Sequence, residues 1–159
     1  MNSYLIYYKS VYTWFVMSCP LCNEIKNGNL LIRKIKGFAI TFNKYPYVFG
    51  HLMIIPLEHK ANLEYLNEDE QTTLMKLINK TQLALKKAMN TTSINIGMNM
   101  GLDGGGSVPQ HLHVHILPRR DGDFNFTILL NNLKPLKQMD SNANKIEKII
   151  EAINDIEIN

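Results

Sequence analysis

The spacing of hydrophobic and polar positions changes several times along the chain, and each change marks an element. Leu30 to Lys34 has the character of a short strand, and Phe38-Ala39-Ile40-Thr41-Phe42-Asn43 follows Gly37 with β-rich residues. Tyr45-Pro46-Tyr47-Val48-Phe49-Gly50 carries breakers, and His51-Leu52-Met53-Ile54-Ile55-Pro56 reads as a buried strand stopped by proline. Pairing these two strands as a hairpin around the Pro/Gly connection is the economical arrangement. From Asn67 the period lengthens to that of a helix, with Leu74, Leu77, Ile78, Leu85, Ala88 and Met89 on one face. Asn67 suits the N-cap, Glu68, Asp69 and Glu70 put negative charge in the first turn, and Glu70 completes a capping-box spacing. Lys86 and Lys87 lie near the C-terminus, where cations suit the helix dipole.

Alternation returns in Ile94 to Met100, with Asn95 and Asn99 on the same side, and again in His111 to Leu117. In that second stretch His111, His113 and His115 face one way, and Leu112, Val114 and Ile116 the other. Asn144 to Ile156 is a second amphipathic helix, with Ile146, Ile149, Ile150 and Ile153 on one face. Strands, helix, strands and helix joined by short connections predict an α+β fold: an antiparallel sheet of about five strands with two main helices.

Bulk composition narrows the partners. The 159 residues suit one domain, 45% hydrophobic and 19% charged, with a net charge of +3. That mild excess suits an anionic small molecule; the scattered lysines make no nucleic-acid footprint. Two cysteines, Cys19 and Cys22, are too few for a disulfide framework, so the cytosol is the default compartment. They read as a redox pair or as half of a metal site. The apolar, aromatic first seventeen residues lack a basic lead and a cleavage site, and Lys9 interrupts them. They are too short and too polar to span a bilayer, so no membrane partner is expected. Residues 1–18 are read as an N-terminal arm, packed on the domain or lying upstream of a natural start at Met17. Residues 19–159 form the domain.

Three histidines on one strand face point to chemistry, because few buried surfaces satisfy three imidazoles. Alternate positions lie roughly 6–7 Å apart, so three rings could converge on one metal ion. The loop directly before them argues instead for a phosphate. Gly101, Gly104, Gly105 and Gly106 allow close backbone approach and an anion nest, and Ser107 adds a hydroxyl. Imidazole, with a reference pKa of about 6.5, is mostly neutral at pH 7 and can attack phosphorus. His113, flanked on its face by His111 and His115, is the candidate nucleophile, and His115 can donate to the phosphate oxygens.

HLHVHIL matches the His-φ-His-φ-His-φ-φ signature (φ hydrophobic) of the histidine-triad superfamily, and the resemblance covers roughly residues 19 to 157. NKYPYVFGHLMIIPLEH, NIGMNMGLDGGGSVPQHLHVHILPR and DGDFNF look most like its branch of diadenosine tetraphosphate phosphorylases and hydrolases. The resemblance implies a homodimeric enzyme that cleaves adenosine dinucleoside polyphosphates through an AMP-histidine intermediate on His113. It implies that Asn43 hydrogen-bonds the ribose, that Asn99 reaches the phosphates or leaving group, and that Gly105, Gly106 and Ser107 bind phosphate oxygens. His115 would contact the transferred phosphate, and His51 would support the triad from outside it. In some members, and in related galactose-1-phosphate uridylyltransferases, zinc is held by C-x-x-C, a later histidine and the first triad histidine. Here those positions are Cys19, Cys22, His59 and His111, a set suited to a closed tetrahedral site. A redox pair would want a helix N-terminus in a thioredoxin-like setting, which the sequence does not suggest.

Three departures stand against the family pattern. Arg120 follows the PR arginine where many relatives carry an aromatic, and that extra cation suits either a polyphosphate tail or solvent. Gly106 stands where many have Gln, which weakens transfer of acceptor and leaving-group details. The aromatic-basic element usual before the cysteines is not evident. Rival readings are a nucleotide-binding sensor with negligible turnover, a hydrolase of nucleoside phosphoramidates, and a zinc hydrolase with the triad as ligands.

Overall fold

A computed structural model describes residues 19–123 and 143–158. The expected N-terminal arm and the last part of DGDFNF, residues 124–126, lie outside the described residues. One five-stranded antiparallel sheet organises the rest. Its strands are β1 (Leu31–Ile35), β2 (Phe38–Phe42), β3 (Leu52–Pro56), β4 (Ser93–Met98) and β5 (Val114–Arg119), in the order β1-β2-β3-β5-β4. The expected hairpin is present: Phe42 pairs with Leu52 and Phe38 with Pro56. Lys36 and Gly37 link β1 to β2 with φ of 47° and 83°, the left-handed pair that a tight two-residue turn requires.

FAITF and LMIIP are buried at every position because both faces of the sheet are covered there. On one face, helices α2 (Glu68–Met89) and α3 (Ala143–Asn154) bury Leu74, Leu77, Leu85, Ile149 and Ile153 against Phe38, Ile40, Leu52, Ile54, Val114 and Ile116. The capping box of α2 is closed, since the Glu70 N–H donates to Asn67 Oδ1 at 2.9 Å and the Asn67 N–H to Glu70 Oε2 at 2.8 Å. Arg33 of β1 ties down α3 by donating to the carbonyls of Ile153, Asn154 and Ile156. On the opposite face, Cys19, Leu21 and Ile25 pack against Ala39, Met53 and Ile55.

That second face comes from a helix the sequence pattern did not reveal. Helix α1 (Pro20–Asn27) starts on a proline, is capped by Cys19 and is only eight residues long, too short for a periodic apolar face to stand out. It adds a short third helix to the two main ones expected, and it places C-x-x-C at a helix N-terminus, which the sequence did not suggest. The surrounding sheet is nonetheless wholly antiparallel, not the βαβ unit of a thioredoxin-like site.

The expected strand His111–Leu117 also begins late, at Val114. Pro56, opposite its start, has no N–H for the ladder, and the Leu112 N–H turns away to the Lys60 carbonyl at 2.7 Å. Strand β4 likewise ends at Met98, leaving Asn99 in the loop that follows. Among the described residues no helix is long and apolar enough to cross a membrane.

Candidate active site

Strand β5 and the residue just before it deliver His115 and His113 to the sheet face opposite α2 and α3, because their neighbours Leu112, Val114 and Ile116 belong to the core on that side. His113 and His115 meet edge to face, with ring centroids 4.8 Å apart. They share the wall of a cavity of about 550 Å³ with Asn43 and Ser107, and its other walls come from α1, Leu30 just before β1, β2 and β3. Four predicted site residues are therefore brought together. Asn99, Gly105 and Gly106 are not in that wall.

Hydrogen bonding assigns each ring a role, since a carbonyl only accepts and a backbone amide only donates. His113 Nδ1 lies 2.8 Å from the His111 carbonyl, so Nδ1 carries the hydrogen and Nε2 keeps a free lone pair. The Tyr47 N–H donates to His51 Nδ1 at 3.2 Å, which puts the His51 hydrogen on Nε2. That Nε2–H donates to His115 Nδ1 at 2.9 Å, leaving His115 with its hydrogen on Nε2. His113 thus offers an electron pair and His115 a donor. His51, fully buried, does not itself line the cavity and acts through the wall residues it touches, above all His115. Asn43 is turned by the Tyr45 N–H, which donates to its Oδ1 at 2.8 Å. Its Nδ2 then faces the His51 Nε2–H at 3.3 Å, a contact between two donors that leaves the Asn43 amide available to a ligand.

Electrostatics agree. Burial, with His115 and His113 nearby, pushes His51 down to about 3. Burial and the neighbouring His113 push His115 down to about 4. Burial also lowers His113, opposed by its bond to the His111 carbonyl. All three rings are neutral at pH 7, the state a nitrogen nucleophile needs.

His111 belongs to a different cluster. Its ring centroid is 4.9 Å from that of His59, and its Nδ1 lies 3.5 Å from both Cys19 Sγ and Cys22 Sγ. His59 Nδ1 is 3.2 Å from Cys22 Sγ, and the ligand atoms of all four residues lie within 4.8 Å of one another. A tetrahedral zinc with Zn–S of about 2.3 Å and Zn–N of about 2.05 Å sets sulfur and nitrogen about 3.5 Å apart. His111 Nε2 donates to the Pro56 carbonyl at 3.0 Å, turning its lone pair on Nδ1 toward the thiols. Burial and the adjacent Cys19 push the Cys22 thiol up to about 11, so a cation is what would let both sulfurs ionise. Neither cysteine is in a disulfide. The four residues fit a metal ion, and His113 and His115 are not part of the cluster.

The glycine loop differs from expectation in detail. Gly105 is left-handed at φ 78°, but Gly106 is there to make room: a Cβ on it would sit 3.0 Å from Asn99 Cβ. A glutamine at that position would displace Asn99. Arg120 lines a separate polar cleft with Arg119, Asp121, Asp123 and the start of β4, away from the histidines. Sequence reading missed Glu24, Asn27 and Lys44 in the cavity wall. The first two sit on the unforeseen helix α1, and Lys44 lies within NKYPYVFGHLMIIPLEH with no role read for it.

Comparisons with known proteins agree with this geometry. The family model of the HIT domain matches residues 26–122. A protein of Mycobacterium tuberculosis named AP-4-A phosphorylase is 36% identical over 110 residues, 69% of this chain and 56% of that protein. The asymmetrical bis(5'-nucleosyl)-tetraphosphatase of Schizosaccharomyces pombe is 35% identical over 97 residues, 61% of this chain and 53% of its own length. The chain thus spans about half the length of these relatives. A crystal structure of a Zn-bound histidine triad family protein from Mycobacterium smegmatis shares the fold with a TM-score of 0.69 at 20% identity. It covers 87% of this chain and 94% of its own.

Proposed function

Because the chain belongs to the HIT domain family, we propose that it cleaves an adenosine dinucleoside polyphosphate by way of an AMP-histidine on His113. The observation that carries this reading is the His113 tautomer: with Nδ1–H tied to the His111 carbonyl, the Nε2 lone pair is free in a cavity shared with His115 and Ser107. Nε2 attacks the phosphorus next to adenosine, an N–P bond forms, and the bridging P–O bond breaks with its electron pair leaving on the departing polyphosphate. The carbonyl on Nδ1–H then stabilises the positive charge the ring acquires. His115 Nε2–H and the Ser107 hydroxyl donate to phosphate or leaving-group oxygens, and Asn43 to the ribose. Water or inorganic phosphate next attacks phosphorus and restores the His113 lone pair. The names of the mycobacterial and fission-yeast relatives support the choice of substrate.

Cys19, Cys22, His59 and His111 would hold zinc. A zinc ion there would supply structural cross-linking and no reactive ligand position. The His111 ring held in that set would keep in place the carbonyl that His113 depends on. A homodimer is part of the proposal and is checked by light scattering.

The test is turnover of diadenosine tetraphosphate with and without phosphate. ADP formed only with phosphate identifies a phosphorylase, and AMP plus ATP formed in water a hydrolase. Covalent labelling by nucleotide should vanish in His113→Ala while zinc is retained. Loss of zinc with turnover kept in that variant would refute the mechanism and favour a zinc hydrolase.

A further inference from the structure

The cavity holds one residue that phosphate chemistry does not explain. Glu24 is the only acid in its wall among the described residues, and an acid repels a polyphosphate. Part of its role is structural, since Glu24 Oε1 accepts the Leu30 N–H at 2.9 Å. The other oxygen, Oε2, has no hydrogen-bond partner among the described residues. The carboxylate is also built into place. A Cβ on Gly28 would lie 1.9 Å from Glu24 Oε1, 2.0 Å from Cδ and 2.4 Å from Oε2. Gly28 has φ −74°, which any residue adopts, so what a side chain there would meet and move is the carboxylate itself.

Position says which part of a ligand this oxygen meets. Leu30 precedes β1, and His113 and His115 belong to the β5 end of the sheet order β1-β2-β3-β5. Three interstrand steps separate β1 from β5, roughly 14 Å. With phosphorus at the histidines and apolar Leu30, Phe42 and Met53 in the wall, the nucleoside extends toward α1, and its base reaches Glu24. This step rests on the reading of the cavity as a nucleotide site.

We propose that Glu24 reads the base, its Oε2 accepting a hydrogen bond from the exocyclic amino group of a 6-aminopurine. A carboxylate only accepts. With Oε1 committed to Leu30, the free oxygen matches one amino group. In the same pose a 6-oxopurine sets its carbonyl, and not a donor, against the carboxylate, and its N1–H donor lies one ring position away from the fixed oxygen. The site thereby prefers adenine to hypoxanthine by an unpaired acceptor and not by size.

Calorimetric titration with AMP and with IMP tests this on the full chain. The wild type should bind AMP at least about tenfold tighter, the span expected of a hydrogen bond to a charged group. In Glu24→Gln the amide oxygen still serves Leu30, so its NH₂ faces the base and the preference should disappear or turn toward IMP. Gly28→Ala keeps Glu24 but drives the carboxylate from its place, and it should also abolish the preference. Equal binding of AMP and IMP by the wild type, or an unchanged preference in Glu24→Gln, would overturn the assignment. The two readings fail separately. If neither nucleotide binds and His113 is not labelled, the nucleotide site itself is wrong. If labelling and turnover persist without discrimination, only the role of Glu24 is.

Discussion

His51 makes the stability of this protein depend on pH in a calculable way. Its folded value, about 3, lies below the ordinary histidine value of about 6.5, because burial and the neighbouring histidines disfavour the cation. Above pH 6.5 the ring is neutral in both states and contributes no pH dependence. Below that, the unfolded chain binds a proton that the folded chain refuses, so stability falls with pH from 6.5 toward 3. At pH 5 the unfolded ring is almost fully protonated and the folded ring hardly at all, a loss of about 2 kcal/mol relative to pH 7. The perturbation is His51→Gln, which keeps a polar side chain but cannot titrate. Urea unfolding of both proteins at pH 7, 6 and 5 gives two profiles. Whatever the variant loses at pH 7, its deficit relative to wild type should shrink by about 2 kcal/mol by pH 5. Contributions common to both proteins, including those of His111 and the candidate metal ligands, cancel in the difference; His115, bonded to His51, is followed by its own NMR titration in both proteins. Parallel profiles would refute the reasoning, because they would mean His51 titrates alike in folded and unfolded chains.

Three further outcomes are expected. Cys22→Ser removes one of four ligands, so zinc retained after dialysis should fall at least about tenfold with a lower melting temperature; full retention would refute the cluster. Arg33→Met removes charge-assisted bonds to three carbonyls at the end of α3 and should cost about 2 kcal/mol in urea unfolding; a loss below about 0.5 kcal/mol would refute that anchor. Thr81 is fully buried in α2 with its hydroxyl unpaired among the described residues, so Thr81→Val should stabilise by about 1 kcal/mol, and a destabilised variant would show that the hydroxyl has a partner.

What the sequence determined by itself is what short-range physics encodes. The capping box of Asn67 and Glu70, the helical period through Met89 and the alternation around His113 and His115 need only neighbours within a few residues, and each is present in the fold. The family signature added roles to those positions. Tertiary structure decided what the histidines do. Nothing local distinguishes His111 from His113: both sit on the same side of one pattern. Only the packing of α1 against Ala39, Met53 and Ile55 carries Cys19 across 92 residues to His111. That contact moves one triad member into a Cys/His cluster able to hold a metal ion and turns its carbonyl into the support of the next. Pro56, lacking an N–H, delays β5 and frees those residues from the ladder. The tautomers follow in turn from the backbone groups of Tyr47 and His111, and the Glu24 carboxylate from the bare Cα of Gly28. Sequence periodicity specifies which side of an element faces inward. Which groups meet across the fold depends on long-range packing, and that is where this site acquires its chemistry.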